Sequence, residues 1–326
     1  MAALSVLFIG GNGIISSACS ALAVSRGIDL TLLNRGTDST RPPIDGARHI
    51  TGSADDLATA IGNRSFDVVV NFRSFSPSSA AADAALLAGR VGQYVYISSA
   101  SAYHKPVTRL PITESMPLHN PFWEYSRNKA ASERVLNDAY NDHGFPITIV
   151  RPSHTYDRTL IPLDGGWTIV DRMRRGLPTI VHGDGTSLWT LTHNTDFAVG
   201  LVGLLGHPAA IGDTFHITSD EALPWNEIAT TLADAAGATT ELLHVTSDDL
   251  AREVPEWGDG LLGDKAHSVI FDNSKIRRLV PEFAPVTPFW QGAREIIDWH
   301  DESADRRVVD AALDARLDAV VAAHAR

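Results

Sequence analysis

The stretch that most restricts the fold lies at the start of the chain. Residues 4–9 form a compact apolar run that ends in Gly10-Gly11-Asn12-Gly13. An Ala/Ser/Leu-rich stretch of helical character follows to about Ser25, and Ile28-Asp-Leu-Thr-Leu-Leu33 then reads as a second strand, stopping at Asn34-Arg35-Gly36. Strand, tight turn, helix and strand within about 30 residues is the length of a βαβ crossover. Further apolar runs at Asp67–Asn71, Tyr94–Ser98 and Ile147–Arg151 alternate with helical segments near 78–89 and from Tyr125 through Leu136. Strands apolar on both faces predict a parallel sheet covered by helices on each side.

After Pro152 prolines, glycines and tryptophans become frequent and the strand–helix rhythm breaks up. A helix from about Thr195 to Leu205 and a strand at Thr214–Thr218 are expected to return to the first unit. The segment 303–324 carries Val308, Ala312, Leu313, Leu317, Val320 and Val321 at helical spacing and predicts a packing helix. The expected architecture is α/β: a Rossmann-type doubly wound parallel sheet with a smaller, interleaved C-terminal substrate domain. The dinucleotide-binding domain is expected to take residues 1–160 plus 192–219, and the substrate domain 161–191 plus 220–326.

The glycine turn carries the first chemistry. A dinucleotide pyrophosphate must approach the backbone at a helix N-terminus, where free N–H groups and the helix dipole meet its charge. Gly10 allows the turn, Gly13 allows close approach, and Ser16 is small enough for tight helix–strand packing. Asn12, Ile14 and Ile15 share that turn. At the end of the second strand an acid would bind a ribose 2′-hydroxyl, whereas an arginine accommodates a 2′-phosphate. Asn34-Arg35-Gly36 has no acid until Asp38, which predicts NADP, with NAD the alternative.

A second constellation is Trp123-Glu-Tyr125-Ser-Arg-Asn-Lys129, opening a helical run. Tyr125 and Lys129 stand one turn apart on one face. A nearby ammonium favours a phenolate and is expected to lower the Tyr125 pKa toward neutrality, suiting proton exchange at a carbonyl or alcohol.

Together, the glycine turn, Ile97-Ser98-Ser99-Ala-Ser101-Ala-Tyr103, Tyr125-x-x-x-Lys129 and Val150-Arg151-Pro152 resemble, in order and spacing, the extended short-chain dehydrogenase/reductase family, in its epimerase/dehydratase branch. The likeness reaches Asp272-Asn-Ser-Lys275 and Leu279. It implies that Ser99 holds the substrate oxygen, that Tyr125 is the general acid/base, and that Lys129 tunes it and binds the nicotinamide ribose. It further implies that Pro152 and Ser153, with His154 following, meet the nicotinamide, that Phe72 and Ile97 line the cofactor cleft, and that the chain forms a homodimer through the helices near 78–89 and 125–140.

Departures from the family pattern narrow the reaction. Ala100-Ser101 stands where sugar dehydratases carry an Asp-Glu pair. Trp189, after Gly183-Asp-Gly185, stands where an arginine usually clamps a diphosphate; an indole cannot replace that bidentate charge, though it can cover a substrate face. Arg172, Arg174 and Arg175 are nearby and read either as compensation or as a solvated helix face. Ser53 replaces the acid expected at the adenine amine, leaving Asp55 or Asp56. Ser101, Trp123, His154 and Trp189 are candidate substrate contacts, as are Tyr156 and His193 by position.

Other classes fare badly. The net charge of −12 repels phosphate backbones, so nucleic acid is not an expected partner. Thirteen histidines and the lone Cys19 show no metal-ligand spacing, and no disulfide can form within one chain. Gly258-Asp-Gly-Leu-Leu-Gly263-Asp264-Lys265 imitates a phosphate-binding loop, but its lysine is displaced by one and Ala266 follows. With no basic leader and no long apolar run, a cytoplasmic location without membrane contact is expected. The expected activity is NAD(P)-dependent hydride transfer at an alcohol or ketone carbon of a small sugar or polyol derivative, reductase slightly favoured. The alternatives are an epimerase that retains NAD, or a non-catalytic dinucleotide-sensing or RNA-associated regulator.

Overall fold

The computed structural model describes residues 3–36, 41 and 43–325; Asp38 lies outside the described residues. Six strands of the first half are β1 (Ser5–Ile9), β2 (Asp29–Asn34), β3 (Arg48–Thr51), β4 (Phe66–Asn71), β5 (Val91–Ile97) and β6 (Ile147–Pro152). With Asp213–Ile217 they form one sheet whose pairings are all parallel. The order across it is Asp213–Ile217, β6, β5, β4, β1, β2, β3. The winding reverses between β1 and β4, which opens a crevice at the carboxyl ends of those strands.

Strand alternation divides the sheet's apolar residues between two cores. Val6, Phe8, Leu32, Val68 and Val70 face α1 (Ile14–Ser25) and the later helix Asn194–Leu204, which supply Cys19, Ala23, Phe197 and Leu201. Leu7, Ile9, Leu33, Val69 and Tyr96 face α2 (Leu57–Ile61), α3 (Pro77–Leu87) and α4 (Glu124–His143), which supply Leu57, Ala80 and Leu136. A third core gathers Trp167, Val170 and Met173 of α5 (Trp167–Arg174) with Trp225, Ile228 and Leu232, and with Leu313 and Leu317 of the last helix. The two halves interlock: Tyr103 and Ile112, from the segment before α4, enter the third core, while Ile276, Val280 and Phe283 pack beneath the sheet.

Two elements differ from expectation. β3 carries no apolar run; its Arg48-His-Ile-Thr51 is mostly exposed at the sheet edge, so periodicity gave no sign of it. The segment 303–324 is not one helix. Asp310 accepts the N–H groups of Ala312 and Leu313 and starts the final helix at Ala311, leaving Val308 70% exposed. Among the described residues no helix is long and apolar enough to cross a membrane.

Candidate active site

β1 runs into the glycine turn, and the turn opens α1. Gly10 has φ +87°, a left-handed conformation that suits only glycine. Gly11 is held by packing: a Cβ there would stand 2.5 Å from Leu32 Cδ2. Gly13 meets only Ser16 Oγ, at 3.3 Å. Ser16 does more than fit: its hydroxyl accepts the Gly13 N–H at 2.7 Å and donates to the Gly10 carbonyl at 2.5 Å, bracing the turn. No acid occupies the first turn of α1, so its dipole faces the crevice unopposed.

A cavity of about 480 Å³ opens there. Gly10, Asn12, Gly13, Ile14 and Ile15 form one wall, Asn34 and Arg35 the β2 end, and Phe72, Ile97 and Pro152 the far side, where Tyr125 and Lys129 reach it. Asn34 donates to the Asn12 side chain at 3.2 Å, and Arg35 is exposed at the rim. Ser53 and Asp55 also line the cavity, whereas Asp56 accepts the Ser53 N–H and hydroxyl and is spent on capping. Size, turn and dipole together fit a dinucleotide.

Lys129 is only 2% exposed and donates to the carbonyls of Ser74 and Ile97 at 2.8 and 2.7 Å. Its Nζ stands 4.8 Å from the Phe75 ring centre and 5.7 Å from that of Tyr125. Burial brings the ammonium down to about 7, opposed by the charge of Glu133. Tyr125 departs from the expected direction. Burial raises its phenol above the ordinary value, a hydrogen bond with Ser99 pulls the other way, and Asp264 adds to the rise. The Lys129 ammonium spends two of its hydrogen bonds on carbonyls, and the rise of the phenol is set by burial and Asp264.

A second cavity of about 240 Å³ adjoins the first. Ser99, Ser101, Trp123, His154 and Trp189 line it, with Asp264 and Phe271. Tyr125 and Pro152 line both cavities. Ser153, expected at the nicotinamide, lines only the second and bonds to Thr192 at 2.8 Å. Ser99 and Ser101 hydroxyls lie 2.9 Å apart, and Ser126 donates to Ser101 at 2.8 Å. Burial pushes the His154 imidazole down to about 4, with the Lys265 charge adding to it. Trp189 is buried against Trp225, its indole N–H without a partner.

Tyr156 and His193 line neither cavity: Tyr156 packs against Phe289, and His193 bonds to Thr195 and Glu295. Arg172, Arg174 and Arg175 line neither cavity; Arg172 is buried, whereas Arg174 and Arg175 lie on an exposed helix face. Arg172 pairs with Asp314 and Asp318, Arg174 with Asp301, and Arg175 with Asp171 and Asp314, tying α5 to the C-terminal helices. Arg151 is buried against Glu133, which also accepts from Ser98, so Glu133 of α4 anchors the ends of both β6 and β5. Asp264, inside the stretch that imitates a phosphate loop, had no sequence signal for a place in the cavity.

The model described as the NAD dependent epimerase/dehydratase family matches residues 6–218. The chain belongs to this family. Among family relatives, the 2′-dehydrokanamycin reductase of Streptomyces kanamyceticus is 26% identical over 290 residues, covering 86% of this chain and 80% of the reductase. A UDP-glucuronic acid 4-epimerase from Bacillus cereus, solved with UDP-glucuronic acid and NAD, superposes with a TM-score of 0.73 at 18% identity, covering 91% of this chain and 99% of its own. A dTDP-glucose 4,6-dehydratase from Bacillus anthracis, solved with NAD, gives 0.72 at 20% identity over 93% and 98% of the two chains.

Proposed function

We propose that the chain is an NAD(P)-dependent oxidoreductase that reduces a ketone, or oxidises the matching alcohol, on a sugar or polyol derivative. One observation carries the reading: Tyr125 and Pro152 belong at once to the dinucleotide-sized crevice and to the adjoining cavity. The bound cofactor supplies the hydride chemistry. The backbone N–H groups of the Gly10–Gly13 turn hold the pyrophosphate, Arg35 accommodates a 2′-phosphate, and Lys129 binds the nicotinamide ribose. Ser99 orients the substrate oxygen, and Tyr125 exchanges the proton on it. A phenol held above its ordinary pKa stays protonated at neutral pH, which suits the donor role in reduction.

Reduction is preferred to dehydration because Ala100 and Ser101 carry no carboxylate at the positions where family dehydratases place theirs. It is preferred to epimerisation of a nucleotide sugar because, among the described residues, no lysine or arginine lines the second cavity. The curated reductase among the relatives agrees with this choice. The reading includes a cytoplasmic setting, and the sheet-bearing unit of 1–160 plus 192–219 and the substrate unit of 161–191 plus 220–326 as its working domains.

Mass spectrometry and absorbance of the purified protein, followed by assay with NADPH and a panel of keto-sugars, test the reading. The expected result is an empty site that binds added NADPH and consumes it with a ketone. Tightly retained NAD with interconversion of epimers would overturn the reductase assignment.

A further inference from the structure

Among the described residues, the second cavity is lined by one charged side chain, Asp264, and by no lysine or arginine. Asp264 sits on a π-helical turn, Leu261–Lys265, a distortion frequent at functional sites. The turn is bolted to the cavity wall: Asn120 donates to the carbonyls of both Ser101 and Gly263, at 2.8 and 2.7 Å. Asp264 Oδ1 pairs with the fully buried Lys105 at 3.0 Å; among the described residues its other oxygen has no partner. Close by, Trp189 is 3% exposed and presents an indole N–H, a donor only, without a partner. His154 Nε2 is also shielded and unpaired. The cavity thus offers neutral polar contacts beside one half-satisfied carboxylate.

We propose that the free oxygen of Asp264 binds a protonated amino group of the substrate, and that the preferred substrate is an amino sugar or aminocyclitol rather than a nucleotide diphosphate sugar. The assignment rests on the reading of Ser99 and Tyr125 as the reacting end, since they fix which part of the substrate lies near Asp264. A diphosphate would meet a carboxylate here, with Lys105 buried and already paired to it and no lysine or arginine among the described residues lining the cavity, whereas an ammonium completes a charge-assisted hydrogen bond. The buried indole N–H and imidazole take substrate hydroxyl or ring oxygens, so their polar atoms are satisfied only in the complex.

Calorimetry on the full chain loaded with NADPH tests this, using amino sugars and aminocyclitols matched with counterparts bearing hydroxyl in place of amine, together with UDP-glucose. At neutral pH the amines are expected to bind about tenfold or more tightly than their hydroxyl counterparts. Asp264→Asn should abolish that preference, and Asp264→Glu should keep part of it, with NADPH affinity unchanged in both. Should Asp264→Asn misfold because Lys105 loses its partner, the double variant Lys105→Met/Asp264→Asn replaces it, and the wild-type comparison stands alone. No amine preference across the panel, tighter binding of UDP-glucose, or a preference that survives Asp264→Asn overturns the proposal. Failure of the oxidoreductase reading would look different: amine preference intact, but no hydride transfer to any member of the panel.

Discussion

Lys129 is the residue whose environment most changes its chemistry. Its ammonium titrates near about 7 when folded, against 10.5 ordinarily, chiefly through burial. Between those values the unfolded chain holds the extra proton, so this group makes stability rise with pH over that window and costs most below it. The wild-type protein should therefore gain stability relative to Lys129→Met as pH rises from about 7 toward 9, in denaturant titrations at each pH. A difference that stays constant with pH would contradict the buried, titrating lysine. The sequence made the pair of Tyr125 and Lys129 legible through its helical spacing, but not the direction of the phenol's shift. That direction depends on burial and on Asp264, which comes from a distant segment. Asp264 was illegible for a similar reason, since it reaches the cavity through a π-helical turn that no periodicity announces.

At the level of elements, the strand–turn–helix unit separates two kinds of glycine. Gly11→Ala would drive a methyl into Leu32, which is fully buried on β2, and overpacking of this sort costs about 1–3 kcal/mol. Gly13→Ala, at a φ of −77°, would meet only the Ser16 hydroxyl at 3.3 Å, so its cost in stability should be smaller than that of Gly11→Ala. Its methyl would nonetheless stand where the pyrophosphate is proposed to approach, and NADPH affinity should fall. Thermal unfolding and NADPH titration of both variants check this; equal losses of stability would refute the division of roles. The central elements were readable because their strands are buried on both faces, from Val6–Ile9 to Ile147–Val150. β3 gives no periodic signal because an edge strand can remain polar, and the last helix starts later than its apolar spacing suggests because Asp310 caps it.

For the molecule as a whole, the resemblance to its family implies pairing through α3 and α4, and α3 presents the small exposed residues Ala81, Ala82 and Ala85. Light scattering should give twice the chain mass of 35.1 kDa, and Ala85→Arg should return it to a monomer; a wild-type monomer would remove the dimer from the account. The wider claim is that the two halves meet in order to bring a reducing cofactor against a ketone at Tyr125. Transfer of deuterium from 4-deuterated NADPH to the reduced product, in wild type and in Tyr125→Phe, tests that most directly. The account predicts label in the wild-type product and turnover lower by about 10²–10⁴ in the variant, with NADPH affinity preserved. Near-normal transfer by Tyr125→Phe would contradict it.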